Sequence, residues 1–276
     1  MAGKKRGRPS DSYAKALKAL TQYTWARERT GLNDQELDER YSGKVMGKAR
    51  SSADRTYAFS NAKYAYKRRP LPRDVVEALE ADSLTRGILH ITDSLFWKVL
   101  AEPAETRAKA TAQVKMCLRP FGLIRLPLLH EERWVAMTRQ RSVEERLVDV
   151  EHFDESSDVA RVRLEQLIAQ YPRNLDIVAL LAVLYREAHF SFEPACAEWL
   201  GFRFWMALQD FLSQDGLRAM EGMLDDYAVN RIVYGRSEKE SKKGFRPRSS
   251  YRLPGHGIGL LLPKDDPAVR EALQKT

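Results

Sequence analysis

Apolar residues recur at helical spacing along most of the chain, and this pattern predicts a mainly α-helical protein. Tyr13, Leu17, Leu20 and Thr24 share one face of a first helix predicted from Asp11 to about Arg29. Farther along, the same spacing predicts helices over 83–100, 104–118, 142–150, 157–171, 174–189, 192–212 and 215–234. The short apolar runs within 123–137 fit one short β-hairpin instead.

The residues after the first helix have the spacing of a helix N-terminus. Gly31 ends the first helix, and Asn33 lies three residues before Glu36, as in a capping box. Leu37 and Tyr41 then predict a short second helix that packs its apolar stripe on the first. Two helices joined by a glycine-containing turn, with basic residues on both sides, are typical of a helix-turn-helix DNA-binding unit.

A third helix is predicted from Ser51 or Ser52 to about Tyr66. At about 100° per residue, two opposite faces form. One face carries Ala53, Tyr57, Ser60, Asn61 and Tyr64, and the other carries Arg55, Phe59, Ala62, Lys63 and Tyr66. The pattern leaves open which of them packs on the first two helices. The basic run Lys67, Arg68 and Arg69 ends this helix before Pro70, and a fourth helix from Pro72 closes a small domain near Asp82.

The run from Trp25 to Leu37, the basic-proline segment 67–70 and the helix after it resemble the lambda-repressor-like (Cro/C1-type) helix-turn-helix domain. The resemblance covers residues 10–82 and implies that the third helix recognises DNA. Two features differ from the family pattern. Asp38 stands where the family usually has alanine, and the loop 42–51 between the second and third helices is atypically long.

Charge is distributed unevenly along this chain of net charge +8. Residues 1–73 contain 18 lysines and arginines against 7 aspartates and glutamates, a balance of +11. Residues 235–252 contain 7 against 2, a balance of +5, so the rest of the chain is acidic. Concentrated lysine and arginine favour a polyanion partner, because their binding releases counterions from nucleic acid. The alternative is that the basic segments only increase solubility.

The basic charge begins with an N-terminal arm. Its sequence Arg6-Gly7-Arg8-Pro9 resembles the AT-hook, which lays two arginines along a narrow A·T-rich minor groove. We interpret residues 1–10 as a disordered basic arm that adds phosphate or minor-groove contacts to the neighbouring domain.

The residues that carry catalysis or bind metals are sparse. The five histidines are scattered without a zinc-ligand spacing, and Cys117 and Cys196 form no CxxC pair. His152-Phe153-Asp154-Glu155 fits a solvated turn better than a metal site. No apolar run approaches the roughly 20 residues of a membrane span, and no secretory signal is visible. We therefore expect no cofactor, no metal, no membrane association and a cytoplasmic, nucleoid-associated protein.

These observations predict five segments: a basic arm (1–10), a helix-turn-helix-like domain (11–82), a helical body (83–234), a basic linker (235–252) and a tail with a short helix (253–276). The expected function is a non-catalytic, DNA-binding regulator, with RNA as a possible ligand. The body would then form a homo-oligomer or recruit a protein partner. The alternative is a non-catalytic interaction subunit of a larger complex that handles RNA or mobile DNA. An enzyme whose groups converge only in the fold is a third hypothesis.

The predicted contacts fall into two groups. Arg6, Gly7, Arg8, Lys67, Arg68 and Arg69 would bind phosphates or the minor groove. Arg55, Asn61, Lys63 and Tyr64 on the third helix would contact bases. The sequence specifies neither the target site nor activation versus repression.

Overall fold

The computed structural model describes residues 13–42, 58–63, 69–123, 154–191 and 194–235. Its regular structure in these ranges is helical, without a strand, which confirms the prediction of a mainly α-helical fold. The arm 1–10 and the predicted helix 142–150 lie outside the described residues. The same holds for the predicted hairpin apart from Leu123, and for the chain after Gly235.

In chain order the helices are α1 (Tyr13–Thr30), α2 (Asp34–Leu37), α3 (Ala58–Lys63), α4 (Arg73–Ala81), α5 (Ile88–Asp93), α6 (Phe96–Ala101), α7 (Arg107–Leu118), α8 (Asp154–Gln170), α9 (Leu175–Phe190), α10 (Pro194–Leu212) and α11 (Leu224–Ile232). A π-helical turn, Asp38–Ser42, continues α2. Short 3-10 turns occur at Arg119–Phe121 and Arg218–Met220.

Two predicted helices are interrupted. The prediction of one helix over 83–100 is wrong, because the chain forms α5 and α6 with a break at Ser94. There the Ser94 hydroxyl accepts a hydrogen bond from the Phe96 N–H at 3.2 Å, as a residue at a helix start does. The prediction of one helix over 215–234 is also wrong. Gly216 and Gly222 have φ values of 94° and 73°, which a right-handed helix does not contain.

The chain divides into two compact units, and the first comprises, among the described residues, 13–103 and 208–235. Helix α1 is the central element of this unit. Consecutive residues from Thr21 to Ala26 are buried, so every side of that part of the helix is covered. The helices α3, α5 and α6 and the 3-10 turn at 218–220 pack against it. The predicted apolar face therefore accounts for only part of the buried surface of α1.

The first unit also extends beyond the predicted 11–82 domain. The indole N–H of Trp25 donates to the carbonyl oxygen of Thr85 at 3.0 Å, 60 positions along the chain. Farther away in sequence, the rings of Tyr13 and Tyr227 meet edge to face with centroids 4.8 Å apart. A boundary at residue 82 would thus separate side chains that pack together.

The second unit comprises, among the described residues, 104–123, 154–191 and 194–207. Its core is α9, whose apolar run 177–185 is buried throughout, as its composition predicts. Asn174 caps this helix, since its side chain accepts from the N–H of Asp176 at 2.8 Å. Helix α7 packs along α9, and the Thr111 hydroxyl donates to the Glu187 carboxylate at 2.7 Å. Within the described ranges, no helix is both long enough and apolar enough to cross a membrane.

Candidate nucleic-acid interface

Three of the predicted contact residues are described by the structure: Asn61, Lys63 and Arg69. Asn61 is half-buried on α3, whereas Lys63 and Arg69 are exposed. The remaining predicted residues lie outside the described part of the chain, and they are Arg6, Gly7, Arg8, Arg55, Tyr64, Lys67 and Arg68.

The turn between α1 and α2 contains the predicted capping box. The Glu36 N–H donates to the Asn33 side-chain oxygen at 3.0 Å, and the Asn33 N–H donates to the Glu36 carboxylate at 2.7 Å. Leu37 and Tyr41 are buried, which agrees with the predicted apolar stripe. Two reciprocal bonds therefore fix the start of α2 at Asn33.

The packing of α3 shows which of its faces is covered. Phe59 and Ala62 are fully buried, and the Phe59 ring lies 6.2 Å from the Tyr41 ring between centroids. Helix α3 packs against α1, α2 and the π-helical turn. Asn61, which belongs to the other face, is half-buried. Lys63 belongs to the packed face by helical period, but its long side chain reaches solvent at the edge.

Asp38, the residue that departs from the family pattern, holds the beginning of α3. Its carboxylate accepts from the Phe59 N–H at 3.1 Å and from the Ser42 hydroxyl at 3.3 Å. A carboxylate is favourable at a helix N-terminus, because the first N–H groups there lack partners within the helix. Sequence reasoning missed this role, since Asp38 and Phe59 are 21 positions apart.

A second carboxylate, Asp34, joins three helices. One of its oxygens accepts from the Tyr23 hydroxyl of α1 at 2.5 Å, and the other accepts from the Lys63 ammonium of α3 at 2.8 Å. The Arg27 guanidinium donates to the Tyr23 hydroxyl at 3.3 Å. We call Tyr23, Arg27, Asp34 and Lys63 the Asp34 cluster. Only the position of Asp34 within the capping box is visible in the sequence. Its partners are not.

The electrostatics of the Asp34 cluster favour an ionised carboxylate. Burial alone would raise the pKa of Asp34, but hydrogen bonds from Lys63 and Tyr23 and the charges of Lys63 and Arg27 outweigh it. The pKa of Asp34 therefore lies below its ordinary value. Burial, followed by the hydrogen bond to Asp34, raises the pKa of the Tyr23 phenol.

The chain just after the basic run 67–69 is anchored by Gln22. This residue is fully buried in α1, and its side-chain oxygen accepts from the Leu71 N–H at 2.9 Å. Its side-chain N–H₂ group donates to the Thr92 hydroxyl at 2.8 Å. Gln22 thereby holds the backbone at Leu71, two residues after the exposed Arg69. Sequence reasoning missed this role as well.

Ion pairs and packing occupy several basic side chains of the first unit. The Arg29 guanidinium lies 3.6 Å above the Trp25 ring, and its Nε donates to the Asp215 carbonyl oxygen at 3.1 Å. Arg40 pairs with Asp82 at 2.7 Å. Arg73 pairs with Asp93, also at 2.7 Å. These interactions leave fewer basic groups for a ligand than the charge count of residues 1–73 implies.

The Asp82 carboxylate, which pairs with Arg40, is also perturbed. A hydrogen bond from the Leu84 N–H, followed by one from the Tyr41 hydroxyl, holds the pKa of Asp82 below its ordinary value. Asp82 thereby joins the π-helical turn to the end of α4.

Neither a search for metal sites nor comparison with known proteins gives a further indication of function. Within the described ranges, no three side chains of His, Cys, Asp or Glu are grouped to hold a metal ion. Comparisons with protein-family models, with curated proteins and with solved structures find no match. The functional argument therefore depends on the residues of this chain.

Proposed function

We propose that this protein is a DNA-binding regulator and that the α1–α3 region of its first unit forms a helix-turn-helix-like binding surface. One observation carries the proposal: α3 packs inward through Phe59 and Ala62, whereas Asn61 keeps part of its surface exposed. The basic run 67–69 follows in the sequence, and Arg69 is exposed. A short helix held on two others, with cations beside it, is the arrangement that docks in a DNA groove.

The contacts divide between affinity and recognition. Arg6, Arg8 and the basic run 67–69 bind phosphates or the minor groove and supply affinity for any sequence. Asn61 suits adenine, which an asparagine amide binds through two hydrogen bonds, and Lys63 suits guanine. Arg55 and Tyr64 add to this recognition. No catalytic step is part of the proposal.

The second unit serves self-association or the recruitment of a protein partner. The protein acts in the cytoplasm, associated with the nucleoid. Assembly as a subunit of a larger complex is the outcome to expect if the protein alone binds neither DNA nor RNA.

Binding of the full chain to labelled nucleic acid tests the proposal. Fluorescence anisotropy is measured with a duplex DNA and a single-stranded RNA at several salt concentrations. We expect the triple variant Lys67→Ala, Arg68→Ala and Arg69→Ala to bind all DNA sequences more weakly. Its plot of log affinity against log salt should be flatter by about 0.9 for each phosphate that the variant no longer neutralises.

A matched variant removes the same charge from the second unit. Arg107, Lys115 and Arg119 are exposed on or beside α7, and their joint replacement by alanine should leave affinity within about twofold. Equal affinities for the wild type and the 67–69 variant at every salt concentration would count decisively against the proposal. Tighter binding to the RNA than to the duplex would make RNA, instead of DNA, the ligand of this surface.

A further inference from the structure

The Lys63 ammonium, which is predicted to contact nucleic acid, already has an anionic partner. Its Nζ lies 2.8 Å from the Asp34 carboxylate, and the side chains keep 42% and 22% of their exposure. The pair is therefore accessible to solvent and to a phosphate. Two interpretations are open: a structural ion pair that only holds α3 in place, or a carboxylate that competes with the ligand for Lys63.

Asp34 and Lys63 differ in how far their side chains can move. Asp34 is held at its other oxygen by Tyr23, a residue only 4% exposed, and the helix start fixes its backbone. Lys63 ends α3 and carries its charge on a flexible four-carbon stem. The lysine can move to a phosphate while the carboxylate stays, which is the condition for competition.

We propose that Asp34 masks Lys63, so that nucleic acid must displace the carboxylate before a guanine at the target site, or a phosphate elsewhere, gains that cation. The inference rests on the proposed function. Because the carboxylate also repels any other phosphate that approaches α3, masking lowers affinity for all sequences. Since this cost is the same for target and non-target DNA, masking weakens overall affinity and leaves the ratio of the two affinities unchanged.

The Asp34→Asn variant tests masking in the full chain. Asparagine keeps an oxygen that can accept from Tyr23, and its amide N–H₂ group offers Lys63 no acceptor. We expect the variant to bind a non-target duplex about fivefold more tightly, which matches the upper range of an exposed ion pair, about 1 kcal/mol. Its salt dependence should steepen by about 0.9, the contribution of one additional neutralised phosphate.

Two comparisons separate masking from a general charge effect. The Glu36→Gln variant removes one negative charge from the same helix, but that carboxylate binds the Asn33 N–H instead of a cation. It should change affinity by less than about twofold. In a Lys63→Met background, Asp34→Asn should gain less than about twofold, the effect of removing one negative charge alone. Near-ultraviolet circular dichroism checks folding, and Asp34→Ser replaces Asp34→Asn if the latter fails to fold.

The possible outcomes are distinct. A gain that requires Lys63 supports masking. If the wild type binds but Asp34→Asn binds no more tightly, or gains equally without Lys63, the inference is overturned and the proposed function stands. If neither the wild type nor Asp34→Asn binds DNA or RNA at low salt, both the inference and the proposed function are overturned.

Discussion

Replacement of Gln22 by leucine removes the amide that joins α1 to Leu71 and Thr92 and nearly preserves side-chain volume. Leu71 is 5% exposed, so its N–H would be left without a partner or water. An unsatisfied buried donor costs about 1–3 kcal/mol, and removal of the bond to Thr92 adds about 1 kcal/mol. We expect Gln22→Leu to lower the free energy of unfolding by about 2–4 kcal/mol.

Urea denaturation and hydrogen exchange measure this effect together. The peptide containing Leu71 should exchange faster in Gln22→Leu, which locates the change beside the basic run 67–69. The matched control is Gln35→Leu, the same substitution at an exposed residue of α2. It should change the free energy of unfolding by no more than about 0.5 kcal/mol.

A double-mutant cycle with Thr92→Val completes the test. In the wild type, Thr92→Val leaves the buried Gln22 amide N–H unsatisfied and should cost about 1–3 kcal/mol. In the Gln22→Leu background, no buried amide is left unsatisfied by Thr92→Val, so this change should lower the free energy of unfolding by less than about 1 kcal/mol. A destabilisation below about 1 kcal/mol for Gln22→Leu, or full additivity of the two changes, would refute the reasoning.

Three further predictions concern the first unit. The lowered pKa values of Asp34 and Asp82 mean that their stabilisation is complete above the unfolded pKa of about 3.9 and is lost as pH falls through the folded values. In the double variant Asp34→Asn and Asp82→Asn, the free energy of unfolding should fall less steeply as pH is lowered in this range. Urea denaturation at a series of pH values measures it. Gly216→Ala should cost about 1–2 kcal/mol in urea denaturation, because φ is 94° and the new Cβ would lie 3.2 Å from Cγ of Arg29. The fragment 1–82 should show no cooperative thermal unfolding by circular dichroism, because it lacks residues that cover α1. A sharp transition would contradict that.

Local interactions were predictable from the sequence. The capping box joins Asn33 and Glu36 within one helical turn, and a single motif specifies both bonds. The span of α9 follows in the same way from the continuous apolar run after Asn174. In these places the information that determines the structure lies within a few residues.

Long-range packing was not predictable, because nothing in a single sequence marks which distant residues meet. Lys63 and Asp34 are 29 positions apart, and Thr24 approaches the Met220 sulfur across 196 positions. The face of α3 that packs was open for the same reason. Each face carries aromatic residues, and the packing of Phe59 on Tyr41 identifies the buried one only once the helices are assembled.

Hydrogen exchange of the full chain, with and without a saturating duplex DNA, tests the central claim most directly. We predict slower exchange in residues 1–10 and 58–72 and unchanged exchange in α8 of the second unit. Slowing confined to residues 104–207, or no slowing anywhere at saturation, would contradict the claim that the first unit binds nucleic acid.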